Sequence, residues 1–298
     1  MLANQKYNNL DLEFWANVKL LNQRIGYYKS NRGKNSSPEF VVPTTKQIIK
    51  AFRDGNLKCD KLISGNKLTQ PGQLLIEYFE YRKDVLNSLV EPNLMLKDEA
   101  KTLFYNLKKE LNPKCPLPYN KQSGEKKDYA FYTGIINMIL EKELGKVPVN
   151  YDPRELTLLT NIDYPIRTFS RRVDGAFPSI INPIAIWEIK EYYYTTTFGS
   201  RVADGVYETQ LDGWELWEAN KNLGIEIKHY LFIDDYNTWW NMGKSYLCRL
   251  IDSVHMGLVT EVVFGKEVRN RLPIIVSDWL TTYNSRIVGS RKEKPTLF

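Results

Sequence analysis

Through the first third of the chain, apolar residues recur at the spacing of amphipathic helices. Leu10, Phe14, Val18, Leu21 and Ile25 share one face of a helix predicted over residues 8–25, which Gly26 ends. Thr44 and Thr45 offer N-caps to a helix running to Asp54. Two further amphipathic patterns span 70–90 and 97–111; the second opens with acids and closes with lysines, as the helix dipole favours. Residues 112–124 contain three prolines and read as a linker, and 128–144 as a strongly apolar helix with a charged last turn.

From about residue 157 the period shortens to that of strands. Short strands are predicted over 156–160, 164–167 and 171–177; turn chemistry follows at 178–183, and 184–194 is a run of β-branched and aromatic residues. A helix is predicted over 203–222, a strand over 227–233, a helix over 237–254 and a short strand over 272–277. The expected class is α/β, with a mainly helical N-terminal region at 1–120 and a mixed sheet flanked by helices in 121–298.

Charge sharpens this division. Residues 1–150 hold 24 Lys and Arg against 16 Asp and Glu, whereas 151–298 hold 17 against 19, so the whole excess of +6 lies in the first half. A basic region joined to a near-neutral one fits a polyanion-binding surface attached to a carboxylate-bearing centre; a surface kept soluble by lysine is the plainer alternative. Cys59, Cys115 and Cys248 form no CxxC pair, and His229 and His255 stand too far apart for a histidine metal motif, so carboxylates must do any metal binding. The N-terminal residues turn polar at once and no apolar run approaches a membrane span, so the expected setting is cytoplasmic with no membrane partner.

The chemistry concentrates in Arg171-Arg172-Val173-Asp174-Gly175-Ala176-Phe177 and, after a turn, Ile186-Trp187-Glu188-Ile189-Lys190. Side chains alternate along a strand, so Glu188 and Lys190 share a face while Ile189 points the other way. Antiparallel pairing through the turn can set Asp174 beside Glu188. Mg²⁺ prefers hard oxygens and keeps several waters, so Asp174, Glu188 and the backbone carbonyl of Ile189 suffice to hold it against a phosphate. Lys190 then orients a water or stabilises phosphate charge. A salt bridge from Glu188 to Arg171 or Arg172 is the structural alternative.

Asp174 with Glu188-Ile189-Lys190 resembles the catalytic motif of the PD-(D/E)XK nuclease family, with Val173 where many members have proline. The resemblance implies a mixed central sheet in the order αβββαβ, here over about 125–235, with Mg²⁺ as cofactor. It also implies an acidic residue from the preceding helix, for which Glu141 is preferred to Glu143. Gln210-Leu211-Asp212-Gly213-Trp214 resembles the Gln-x-x-x-Tyr element of some members, with Trp for Tyr. The expectation is a Mg²⁺-dependent endonuclease, most like a type II restriction enzyme, cutting double-stranded DNA as a homodimer. A repair or junction-resolving nuclease, or a non-catalytic nucleic-acid-binding protein, remains as an alternative. Candidate DNA contacts are Arg24, Lys29, Arg32 and Lys34 in a basic segment with Tyr27 and Tyr28, together with Arg201 and Gln210.

Overall fold

A computed structural model of the chain describes residues 1–8, 10–29, 39–121, 124, 127–194 and 200–292, the last group without the side chains of residues 200, 201 and 288–292. Helix α1 (Leu12–Ile25) starts where the Asp11 side chain accepts the Phe14 amide. After the short pair β1 (Tyr28–Lys29) and β2 (Glu39–Phe40), Thr44 and Gln47 form a capping box at the head of α2 (Thr45–Asp54). A two-residue hairpin, β3 (Ile63–Ser64) and β4 (Lys67–Leu68), leads into α3 (Gln70–Val85), which continues through a π-helical turn at Leu86–Val90 to the short α4 (Glu91–Asn93). Trp15, Val18 and Leu21 of α1 pack with Ile48 and Phe52 of α2 and Leu75, Tyr78 and Phe79 of α3 in one core. The N-terminal part is mainly helical, as expected.

The rest of the chain forms three layers. Helices α5 (Lys97–Leu111) and α6 (Phe131–Leu144) precede strands β5 (Asn150–Tyr151), β6 (Leu158–Asn161), β7 (Tyr164–Thr168), β8 (Gly175–Phe177) and β9 (Ala185–Glu191). Then come α7 (Ser200–Leu223), β10 (Lys228–Asp234), a π-helical turn at Asn237–Met242, α8 (Lys244–His255), β11 (Glu261–Phe264) and α9 (Val268–Lys292). The mixed sheet has the order β11-β10-β9-β8-β5; β9, β10 and β11 run parallel, while β8 is antiparallel to both β9 and β5.

Strand alternation sorts the two faces. Phe177, Trp187, Tyr230, Phe232 and Val263 meet α6 and α9, where Trp279 stacks on Trp187 at 5.5 Å between centroids. Leu231, Ile233, Val262 and Phe264 face α7 and α8, packing with Val202, Val206, Leu247 and Ile251. Among the described residues no helix is long and apolar enough to cross a membrane.

One expectation fails for a physical reason, and another is met outside the main sheet. The strand expected at 272–277 lies inside α9: Leu272, Ile275, Val276 and Trp279 fall at i, i+3, i+4 and i+7 and bury one helical stripe, despite Pro273 within the helix. The strands expected over 156–167 exist as β6 and β7, but they pair with each other as a separate hairpin, and the strand beside β8 is the two-residue β5. Pro165 removes a ladder donor from β7, and Tyr164 and Ile166 are exposed, which suits a hairpin outside the main sheet.

Candidate active site

The ladder between β8 and β9 pairs Gly175 with Trp187, which sets Asp174, one residue before β8, opposite Glu188. The Asp174 amide donates to the Trp187 carbonyl at 3.1 Å, and the Ile189 amide donates to Asp174 Oδ2 at 2.7 Å. These bonds lock the carboxylate onto the edge of β9. The N–H and C=O of one strand residue point to the same edge, so the Ile189 carbonyl faces the Asp174 side as well. Glycine follows the aspartate for a steric reason: a Cβ at residue 175 would lie 2.0 Å from the Trp187 indole.

Glu188 and Lys190 project from β9 beneath α7. Glu188 is 2% exposed; its Oε2 accepts from Lys190 Nζ at 2.8 Å, while its buried Oε1 has no hydrogen-bond partner among the described residues. Lys190 Nζ also reaches Glu208 Oε2 of α7 at 3.3 Å. The lysine stem fits because α7 carries Gly205 above it, where a Cβ would come within 3.3 Å of Lys190 Cδ and 2.9 Å of the Tyr192 hydroxyl. Arg171, in the loop before β8, completes the cluster: Nη2 lies 2.8 Å from Glu208 Oε2 and 3.9 Å from Glu188 Oε2, and Nη1 donates to Asp212 Oδ2 at 2.7 Å.

Two cations, Arg171 and Lys190, thus stand among four carboxylates, Asp174, Glu188, Glu208 and Asp212, a formal balance of −2. The acidities reflect the crowding. Burial first, then the Glu188 carboxylate, pushes Asp174 up to about 6, although it keeps solvent access. Burial also raises Glu188, against the pull of Lys190 and Arg171, and pushes Asp212 up to about 6 against Arg171. Burial alone would draw the Lys190 ammonium toward neutrality; Glu188 and Asp174 outweigh it and hold the lysine above its ordinary value.

The structure therefore brings Asp174, Glu188, Ile189 and Lys190 together, and it makes the Arg171 contact named as the alternative. It does not bring Glu141 to them: that carboxylate accepts the Lys114 amide at 2.9 and 3.1 Å from its two oxygens. Glu143 pairs with Lys142. Gln210 turns toward α8, its Nε2 donating to Ser253 Oγ at 3.1 Å. Arg24 closes α1, and Lys29 lies in β1; Arg32, Lys34 and the side chain of Arg201 lie outside the described residues. Neighbouring Tyr27 accepts from Arg249 Nε at 2.9 Å, and Arg249 Nη1 donates to Tyr207 of α7 at 3.0 Å, so this part of the N-terminal region borders the helix that carries Glu208.

Glu208 and Asp212 are the site residues that sequence reasoning missed. Their i, i+4 spacing on a helix directly after the Glu-x-Lys strand was the available signal. Among the described residues no group of three or more His, Cys, Asp and Glu side chains is arranged to hold a metal ion by itself.

No curated protein and no solved structure matches the chain. Residues 1–89 match the model of a domain of unknown function, DUF7690, and residues 95–279 match that of a second, DUF7687. The second match takes in the whole sheet and every residue of the acidic cluster, and by it the chain belongs to the family described as domain of unknown function DUF7687.

Proposed function

We propose that the chain is a Mg²⁺-dependent DNA endonuclease of the PD-(D/E)XK kind, a type II restriction enzyme that cuts double-stranded DNA as a cytoplasmic homodimer. The observation that carries the reading is the opposition of Asp174 and Glu188 across β8 and β9, with Lys190 on the same face and Glu188 Oε1 left without a partner among the described residues. With the separate β6–β7 hairpin inserted between β5 and β8, the main-sheet succession α6, β5, β8, β9, α7, β10, in which β5, β8, β9 and β10 are adjacent in that order, supports it, because it follows the αβββαβ arrangement the resemblance implies.

The residues fit a hard divalent cation. Mg²⁺ usually takes only one or two protein carboxylates and keeps its waters, so Asp174, Glu188 and the Ile189 carbonyl would hold it without a closed cage. The surplus of carboxylates over cations favours a divalent ion, as does an orphaned buried oxygen. When bound, the ion neutralises charge on the scissile phosphate and acidifies a water. The protein's own groups do the positioning. The Ile189 amide fixes Asp174, and Lys190, held between Glu188 and Glu208, presents an ammonium to the phosphate or to the attacking water. Arg171 ties Glu208 and Asp212 of α7 to the loop that delivers Asp174.

A second reading has its own observation. Lys190 and Arg171 are already satisfied by Glu188, Glu208 and Asp212, as in a salt-bridge cluster of a non-catalytic nucleic-acid-binding protein. Plasmid and phage DNA incubated with Mg²⁺ or with EDTA, beside an Asp174→Ala variant, separates the two. Discrete Mg²⁺-dependent fragments, lost in the variant, are expected. Fragments only from flapped or four-way substrates would move the assignment to a repair or junction nuclease, and intact DNA throughout would leave the salt-bridge reading.

A further inference from the structure

Residues 116–121 and 127–130 pair with each other beside α5 and build an aromatic platform. Tyr119 and Tyr129 form an antiparallel bridge, closed by the Asn120 amide on the Asp128 carbonyl at 2.8 Å and the Ala130 amide on the Pro118 carbonyl at 2.9 Å. The two rings stack, with centroids 4.6 Å apart and planes at 17°. Tyr129 is the inner ring, braced by Phe104 at 5.0 Å and by Lys108, whose ammonium lies 4.6 Å from the ring centre and 3.2 Å from the hydroxyl. Tyr119 is the outer ring, 55% exposed, with Lys127 5.4 Å from its centre.

Lysines continue from the platform along one face of α5. Lys97, Lys101, Tyr105 and Lys108 recur at intervals of four, four and three residues. Lys101 pairs with Asp128 at 3.5 Å, and Lys97 covers Tyr194 at 4.3 Å. Tyr194 donates its hydroxyl to the Tyr129 carbonyl at 2.9 Å. Because Tyr194 follows Lys190 by four residues, the platform stands off the C-terminal end of β9, on the α5 and α6 side of the sheet, while the acidic cluster lies on the α7 side.

Packing explains the inner ring but not the outer one, since a half-exposed tyrosine held flat on its neighbour buries little. A flat exposed ring edged by lysines matches a nucleobase stacked above it with the adjoining phosphates on the ammonium groups. Base faces are hidden in a duplex and open in a single strand. We infer that Tyr119, backed by Tyr129 and flanked by Lys127 and the lysines of α5, binds an unpaired DNA strand. The choice of DNA rests on the nuclease reading; the stacking surface does not.

The test is fluorescence anisotropy of the full chain in EDTA with a labelled oligo(dT) of about 20 nucleotides and a duplex of equal length. Oligo(dT) binding should depend on Tyr119, and duplex binding should not. Tyr119→Ala should weaken it about tenfold, the effect of losing one stacked base, and Tyr119→Trp should restore it. Lys127→Ala should flatten the salt dependence. Unchanged thermal unfolding of Tyr119→Ala, expected for an exposed ring, keeps the comparison clean. Equal affinity of wild type and Tyr119→Ala for oligo(dT), or an equal loss of duplex binding in the variant, overturns the proposal. The two readings fail separately: Tyr119-dependent strand binding without Mg²⁺-dependent cleavage keeps the platform and loses the nuclease, and cleavage with Tyr119-indifferent binding does the reverse.

Discussion

One guanidinium nitrogen of Arg82, in α3, lies 3.0 Å from both carboxylate oxygens of Asp252, in α8. Arg82 also donates to Asn22 Oδ1 at 2.9 Å, and the Tyr78 hydroxyl donates to Asp252 Oδ1 at 2.6 Å. Arg82 falls in the part of the chain that matches DUF7690 and Asp252 in the part that matches DUF7687, so this buried pair joins the two.

Removing one partner should therefore cost far more than removing both. Arg82→Met leaves Asp252 buried with only part of its hydrogen-bonding set and should lower unfolding stability by about 3–5 kcal/mol, whereas Arg82→Met combined with Asp252→Leu should recover most of that loss. Urea titrations of the two single variants and the double variant measure the coupling. Additive losses would mean that the pair does not hold the two parts together.

His229 gives the fold a defined acid sensitivity. Its Nδ1 lies 2.9 Å from the Leu258 carbonyl and must carry the proton, while the buried Nε2 has no partner among the described residues. Burial draws its pKa down from 6.5 to about 4. The unfolded chain then binds the extra proton first as pH falls, so stability is lost between 6.5 and 4 and is fully present above 6.5. The loss from pH 7.5 to pH 5 is about 2 kcal/mol for this group. His229→Gln should remove that slope in urea titrations at the two pH values.

Some of this organisation is legible in the residues alone. The helix at 97–111 is found at those residues because amphipathic spacing, acids at its start and lysines at its end all agree. The meeting of Asp174 with Glu188 and Lys190 follows from strand alternation and one turn. The run at 272–277 misleads because a short apolar stretch fits a buried helix stripe as well as a strand, and only packing on the sheet decides. Glu208 and Asp212 look like a solvated helix face until α7 is laid over β9 and Arg171 reaches them. Glu141 sits on the expected helix, but its carboxylate is spent on the Lys114 amide, a contact between segments 27 residues apart.

Asp234 is a second place where an ionisable group is buried at a cost, and burial holds its pKa well above the usual carboxylate range. It is fully buried; Oδ1 accepts the Met95 amide at 2.8 Å and the Asp235 amide at 2.9 Å, while Oδ2 has no partner among the described residues. Strand register puts it beside Glu191, whose Oε2 accepts from the Thr133 amide and hydroxyl and whose Oε1 is likewise without a partner among the described residues. Asp234→Asn keeps the Oδ1 acceptor and removes the ionisable group, so thermal unfolding at neutral pH should show a gain of about 1–3 kcal/mol. A loss of that size would mean that the carboxylate is needed in its charged form.

Glu188 Oε2 is occupied by Lys190 at 2.8 Å, and this contact separates a cation site from a closed salt-bridge cluster. If the carboxylates hold Mg²⁺, the ammonium competes with the ion for the same oxygen. Lys190→Met should then raise the Mg²⁺-induced shift in thermal midpoint above that of the wild type, since binding to the folded state stabilises it by mass action. The same variant should cut DNA at least about a hundredfold more slowly, the rate equivalent of about 2.7 kcal/mol, because the donor to the phosphate or water is gone. Asp174→Asn and Glu188→Gln should abolish both the Mg²⁺ shift and cleavage. A cluster that only holds the fold predicts the opposite pattern: Lys190→Met loses about 3–5 kcal/mol by stranding Glu188, and Mg²⁺ moves the midpoint of no variant. Mg²⁺ titration of the four proteins by thermal shift, beside plasmid cleavage, distinguishes these outcomes.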